Sequence, residues 1–480
     1  MAQTLLWYDL ETFGTHPQVD RIGQFAAIRT DNRFETLGTE ENFYCRLSPD
    51  YVPHPEACLV SGLTPFFVNE NGITEREFAG RIHALMSEPG TCTAGYNNIR
   101  FDDEFIRALF YRNFYDPYKR EYEHNNSRWD IIDLARMAHD LRPEGIEWPV
   151  DEEGKPVFKL EVLAATNGVL HEKAHDALSD VKATIGLAKL LFEKQERLFR
   201  YYFKLRKKNE ARALLSLQEP QPVVHTSGMF TSVHGCTTIV FPVSAQPDSP
   251  NVVITYDLRR DPSDWIDEDV EEIRRRIFTP GSELEPGERI PLKGVHVNRS
   301  PALAPLTTLD GDRAKALDID IDTCLRHAER LKGKTDLIQK VRSVFTRTEE
   351  RKYRDPELQI YSGDFFPDED KEVFSTIRNS TPDDLIGGHF QMYDSRGPEL
   401  LWRYIGRNYS EHLPPGDREK WKSFCASRLL TPEPPGALDI VTFIRDVKNR
   451  LSRVDTPASD KKVLKSLLDY GEYLEHEVLS

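Results

Sequence analysis

No stretch of the chain approaches the ~18 or more consecutive apolar residues that a membrane-crossing helix requires, which excludes a helical membrane protein. The first residues lack the basic-then-apolar layout of a secretory leader, since an acid stands at Asp9. Cysteine is scarce and scattered. Cys45, Cys58, Cys92, Cys236, Cys324 and Cys425 stand singly, with no C-x-x-C pair. That excludes a zinc ribbon and a disulfide scaffold, and it fits a reducing cytoplasm. His225, His234 and Cys236 are too irregularly spaced for a zinc site and read as strand and turn. There is no Walker loop, no G-x-S-x-G elbow, no repeat of solenoid period and no low-complexity tract. A basic excess is also missing. The formal charge is −16, from 63 Lys and Arg against 79 Asp and Glu. By segment it is −11 over 1–200, +1 over 201–356 and −6 over 357–480, so whole-chain charge gives no sign of a nucleic-acid binder. A local basic strip or an acidic site neutralised by metal remains open.

What is present is an ordinary globular composition. With 480 residues, 39% hydrophobic and 30% charged, the chain has room for two to four cores. Over the first 200 residues strand-like runs ("TLLWYDLE", "RIGQFAAIRT", "ENFYCRL", "TCTAGYN") alternate with helix-like ones ("TEREFAGRIHALMSE", "DDEFIRALFYRNF", "DALSDVKATIGLAKLLFEKQERLFRYYF"). This predicts an α/β mixed sheet flanked by helices. Short β-like runs between Pro- and Gly-rich turns then predict a β-rich domain with a helical insertion at "DEDVEEIRRRIF". Residues 350–368 read as a linker, and helical patterns follow to the end. The expected domains are 1–200, 201–355 and 356–480.

Asp9 and Glu11 interrupt an otherwise apolar strand. Residues two apart in a strand share a face, so the two carboxylates project together while Tyr8 and Leu10 point away. Side by side they repel unless a cation lies between them, and hard oxygen ligands suit Mg²⁺ or Mn²⁺. A solvated strand face is the other reading the pair alone allows. In "GYNNIRFDDEFI", Asp102 and Asp103 stand at the mouth of a helix, where either would serve as an N-cap. In "EKAHDALSDVKAT", His175 precedes Asp180 at the start of a helix with apolar face Ala177, Val181, Ile185 and Ala188. That histidine overhangs whatever Asp180 binds; in isolation it would read as a surface residue. Taken together, four carboxylates suit two divalent ions about 4 Å apart, clamping the attacking and leaving oxygens of a phosphoryl displacement. A histidine beside them suits removal of a proton from the attacking water.

The blocks "YDLET", "NNIRFDDEF" and "HDALSD" resemble the three motifs of the DEDDh superfamily of 3′–5′ exonucleases. "DRIGQFAAIRTD", "FYRNFYDPY", "NSRWDIIDLARMAHDLRPEGIEWP" and "VHTSGMF" bring the resemblance closer, to the bacterial exonuclease I family. The resemblance implies a ribonuclease H-like nuclease domain, an SH3-like domain and a C-terminal helical domain. It implies Asp9, Glu11, Asp102 and Asp180 as ligands of two Mg²⁺ ions, with Mn²⁺ able to substitute, and His175 as general base. Asp102 is preferred to Asp103 because the motif F-D-x-x-F is satisfied by Phe101 and Phe105. It further implies hydrolysis of single-stranded DNA in repair or recombination, and a partner in the acidic C-terminal tail of single-stranded-DNA-binding protein. A cytoplasmic monomer is expected. An exoribonuclease with the same site, or a non-catalytic strand-binding adaptor, are the competing readings.

A nuclease of this kind grips a backbone with cations and aromatic platforms. "RALFYRNFYDPYKREY" interleaves Arg107, Arg112, Lys119 and Arg120 with five aromatic residues, at least half of which an amphipathic helix would bury. "RYYFKLRKKNEAR" is the densest basic stretch. The expected substrate contacts are Glu11, Arg107, Tyr118, Arg136, Lys159 and Lys208, with Arg142 a further candidate. Lys159 stands where related enzymes carry arginine, which keeps the charge and loses the bidentate fork.

Overall fold

The strand-like run around the two acids forms β1 (Thr4–Thr12). It is paired antiparallel to β2 (Ile22–Thr30), which pairs antiparallel to β3 (Glu41–Tyr44). On its other edge β1 runs parallel to β4 (Thr91–Gly95). The order β3-β2-β1-β4 places β1 inside the sheet, and the mixture of parallel and antiparallel pairs matches the alternation read from the sequence. The computed structural model describes residues 3–169, 175–346, 353–434 and 437–480. They form two units. One comprises Met1–Ser127, Glu172–Lys182 and Arg351–Ser480, and the other Arg128–His171 and Ala183–Glu350. The boundary runs through a further strand, β5 (Ser127–Asp130).

In the first unit the even residues of β1 (Leu6, Tyr8 and Leu10) enter a core with Phe25 and Phe43 from the sheet. Helices Glu75–Ser87 and Asp102–Arg112 cover it with Phe78, Ile82, Met86, Phe105 and Leu109. The odd face carries Trp7, whose indole donates to Thr30, and then the two acids. A second core joins Phe13, Tyr51 and Phe114 to helices of the C-terminal region, among them Gly397–Tyr409, Pro415–Leu430 and Ala458–Leu474.

The stretch expected as a linker is buried at its centre, residues 355–360, and exposed at Tyr361 and Phe365. Pro356–Ile360 forms a short 3₁₀ turn, and Asp355, Glu357 and Leu358 are buried. Its acids look solvated in sequence because the cations that accompany them, Arg403, Arg407 and Arg428, come from far along the chain. Burial alone would raise the Asp50 and Glu357 carboxyls, but the guanidinia around them, Arg407 foremost, hold both below the ordinary carboxylate range. A depressed folded-state pKa stabilises the fold above the unfolded-state value, and that stability is lost as pH falls through the folded value. Urea resistance is therefore expected to be level from pH 8 to about 6 and to fall from about pH 5 downward. A steepest loss between pH 8 and 6 would contradict it.

The second unit contains an all-antiparallel sheet of β6 (Val223–Thr226), β7 (Thr237–Ala245), β8 (Val252–Asp257), β9 (Leu292–His296) and β10 (Ala302–Pro305), in the order β10-β6-β7-β8-β9. Asp140, at the end of helix Ile132–Leu141, staples that helix to β7. Its carboxylate accepts from the Cys236 N–H at 2.7 Å and the Thr237 hydroxyl at 2.6 Å. Gly235 is needed beside it: its φ is +143°, and a Cβ there would lie 2.2 Å from Asp140 Oδ1. The long helix expected over 176–203 is two helices, Ala177–Lys194 and Glu196–Lys204, parted at Gln195 (φ −134°, ψ 48°). The Gln195 side chain donates there to the Glu144 carbonyl at 2.8 Å. No described helix is long and apolar enough to cross a membrane.

Candidate active site

The pairing of β1 with β4 stops at Trp7–Ala94, while its pairing with β2 continues through Glu11–Gln24 and, across a bulge, to Thr12–Ile22. The carboxyl-terminal end of β1 is thus open on the β4 side, where ligand crevices form in sheets of this kind. Asp9 and Glu11 stand there on the odd face. Asp180 joins them from the first turn of helix Ala177–Lys194. One carboxylate oxygen from each of Asp9, Glu11 and Asp180 lies within 4.8 Å of the other two. Glu11 is buried and the other two half-buried.

Asp9 registers the crowding. Burial first, and then the negative charges of Asp102, Glu11, Asp180 and Asp176, push its pKa well above the ordinary aspartate value. Asp102 is thereby the carboxylate that weighs most on Asp9. Neither it nor Asp103 is a helix cap, because the helix Asp102–Arg112 is capped at Phe101 without a side-chain bond. The two neighbours do different things. Asp103 is fully buried, accepts from the Tyr8 hydroxyl at 2.7 Å and pairs with Arg120 at 2.5 Å, on the face of β1 away from Asp9.

His175 is exposed, two residues before its helix, with a left-handed backbone (φ +59°) that turns the chain into the helix start. Asp176 was not singled out from the sequence. Its side chain accepts from the Ser179 N–H at 3.3 Å and its carbonyl from the Asp180 N–H at 3.0 Å, so it fastens the first turn that carries Asp180. The signal for it was the D-x-x-S spacing, a helix-start pattern that "HDALSD" contains.

The expected strand contacts are found in varied settings. Arg107 is buried; it donates to Glu121 at 2.8 and 2.9 Å and to Glu104 at 2.9 Å, with its guanidinium 5.2 Å from the centre of the Tyr118 ring. Arg112 and Arg120 are also buried and paired, with Glu75 and Asp103, which leaves Lys119 as the exposed cation of that stretch. Phe110, Tyr111 and Phe114 are buried and Tyr118 half-buried. In the second unit, Arg136 pairs with Asp133 at 2.6 Å, and Arg142 donates to the Thr308 carbonyl at 3.3 Å. Lys159 caps helix Leu160–Thr166 and Lys208 opens helix Lys208–Leu214; both are exposed.

A set of carboxylates this close and partly buried suits hard divalent cations, which would reduce the repulsion among them. Lone acids on a surface relax into solvent; these are held by a sheet and a helix start.

The family description "Exonuclease" matches residues 6–188, "Exonuclease I SH3-like domain" matches 206–347, and "Exonuclease I C-terminal domain" matches 354–474. Exodeoxyribonuclease I of Escherichia coli (strain K12) is 40% identical over 474 residues, which span 98% of this chain and 98% of that protein. The solved structure of a moderately thermophilic exonuclease I from Methylocaldum szegediense is 44% identical with a TM-score of 0.94, over 98% of this chain and 100% of that one. The zinc-ion-bound form of the E. coli exonuclease I–ssDNA complex gives 38% and 0.93, over 99% and 100%. A nuclease domain, an SH3-like domain and a C-terminal helical domain therefore follow one another along the chain.

Proposed function

The chain belongs to the exonuclease I family, and from that premise we propose that it is a Mg²⁺-dependent exodeoxyribonuclease that shortens single-stranded DNA from the 3′ end to 5′-mononucleotides. The observation that carries this reading is the convergence of Asp9, Glu11 and Asp180 within 4.8 Å at the open end of β1, with Asp102 acting on Asp9 and His175 at the adjacent helix start. These four acids would hold two Mg²⁺ ions, or Mn²⁺ in their place. When bound, such ions supply Lewis-acid stabilisation of the charge developing on the phosphoryl group and the leaving oxygen.

The side chains do the rest. Glu11 reaches the terminal nucleotide as well as the cation. A ring nitrogen of His175 takes the proton of the attacking water as its oxygen bonds to phosphorus. The bond from phosphorus to the 3′ oxygen breaks, and that oxygen leaves with the shortened strand and is protonated there. Exposure suits His175 to pass its proton on to solvent between turnovers.

Lys159 and Lys208 are exposed cations suited to backbone phosphates, and the half-buried Tyr118 to a base. Arg136 and Arg142 are further candidate phosphate contacts, while Arg107, buried and bonded to Glu121 and Glu104, would back the Tyr118 ring. We take 1–200, 201–355 and 356–480 as the working domains. The setting we assign is strand clean-up in DNA repair and recombination, by a cytoplasmic monomer that also engages the acidic tail of single-stranded-DNA-binding protein.

The test uses a 3′-labelled DNA strand and an RNA strand of the same sequence. Mononucleotide should leave the DNA in Mg²⁺ and not after chelation. Equal degradation of RNA would favour the exoribonuclease reading, and binding without release a non-catalytic adaptor.

A further inference from the structure

The metal ligand Glu11 is followed by a bulge at Thr12 and a return loop, 13–21, that leads into β2. This loop is tied at both ends to one residue. The Phe13 N–H donates to the Arg21 carbonyl at 2.8 Å, and Arg21 Nη1 donates to the Val19 carbonyl at 2.8 Å. The Phe13 carbonyl accepts from the Tyr51 hydroxyl at 2.9 Å and the His54 N–H at 2.8 Å. Asp20 accepts from the His16 N–H at 2.7 Å, so close to the loop that a Cβ on Gly14 would lie 2.1 Å from its Oδ2. The loop is thus fixed at the Phe13 end by Tyr51 and His54 and at the β2 end by Arg21, with its tip at Thr15 and His16 exposed.

Arg21 itself is held by charge more than by hydrogen bonds. It is 4% exposed, and its Nε and Nη2 have no hydrogen-bond partner. Its nearest carboxylates are Glu357 at 3.6 Å and Asp50 at 3.9 Å. Glu357 comes from the C-terminal region, where Arg407 grips both acids: it bonds Asp50 at 2.8 Å and Glu357 at 3.0 Å. Beside them Asp355 pairs with Arg403 at 2.6 Å and with Arg428, without an ion pair to Arg21. With Arg112 and Glu75 beside them, five arginines face four acids, and loss of the Glu357 charge leaves Asp50, already bonded to Arg407, as the remaining ion-pair partner of Arg21. A buried cation that loses its nearer counter-charge is destabilised where it stands.

We propose that Glu357 is a positioning residue for the acidic site: through Arg21 it holds the return loop, and with it Glu11, in the arrangement that binds divalent metal. The C-terminal helical region is then part of what sets the metal affinity of the nuclease. This rests on the metal-site reading above.

The test measures Mn²⁺ binding by electron paramagnetic resonance on the full chain, alongside the Mg²⁺ concentration for half-maximal hydrolysis. Glu357→Gln keeps the shape and removes the charge. It should weaken both by about 10-fold or more, the scale on which outer partners of metal ligands act. Asp355→Asn loses an ion pair in the same network but should leave Mn²⁺ affinity at the wild-type value, since it does not pair with Arg21. Arg21→Lys, which keeps the charge and loses the fork, should weaken Mn²⁺ binding as Glu357→Gln does, and it stands in if that variant does not fold. Unchanged affinity in both, or equal weakening in Asp355→Asn, overturns the proposal. Wild-type protein whose Mn²⁺ binding is insensitive to Asp9→Ala would instead overturn the metal-site reading and take this inference with it.

Discussion

Asp180→Ala and Asp9→Ala are each expected to lower hydrolysis of a single strand by about 10³-fold or more, the scale on which lost charge stabilisation slows phosphoryl transfer. Strand binding should be largely kept, because the proposed grip is by cations and aromatic surfaces away from the acids. The sign of the stability effect is a second readout. Burial first, and then the neighbouring acids, raise the Asp9 pKa, so removing one carboxylate should leave the fold as stable or more so in the absence of metal. His175→Ala separates from these. It should slow hydrolysis by about 10²- to 10⁴-fold as the loss of a general base, with Mn²⁺ binding unaltered. Quench-flow rates on a 3′-labelled strand, paired with Mn²⁺ titration, check both. Full activity in Asp180→Ala sinks the ligand assignment, and an unchanged rate in His175→Ala removes the base.

What made the acidic site legible was periodicity. The alternation of β1 alone puts Asp9 and Glu11 on one face, and the structure keeps that face and its end open. The fold was similarly open to reading wherever apolar spacing decides it, as in the strands and helices around Phe25, Phe78 and Phe105. Ion pairing between distant segments was not. Arg107, Arg112 and Arg120 look like a strand-gripping row because nothing near them in sequence reveals that Glu121, Glu75 and Asp103 receive them. The acids of 355–357 look solvated for the same reason. Charge pattern reports burial only when both partners of a pair are close in the chain, and apart from Arg107 with Glu104 these partners are not.

Asp103→Asn is expected to cost about 3–5 kcal/mol of stability, the penalty for leaving a buried charge without its partner. Arg120 and Asp103 are both wholly buried, and at 2.5 Å the pair is short; the Tyr8 hydroxyl completes it from β1. Burial alone would favour a neutral Arg120, and Asp103 is the main charge that overcomes it. Glu121 lies 3.9 Å from Arg120 but already receives two bonds from Arg107, so it compensates only in part. Asp102→Asn, one residue earlier, should behave differently: loss of hydrolysis with a smaller loss of stability, since removing its charge relieves the repulsion it exerts on Asp9. Urea unfolding of the two variants, read at the first transition, gives the contrast directly. A double replacement, Asp103→Leu with Arg120→Met, should recover most of what Asp103→Asn loses, because a packed apolar pair stands in for a buried ion pair at little cost. Equal stability of Asp103→Asn and Asp102→Asn would show that the two neighbours had been assigned to the wrong faces of β1.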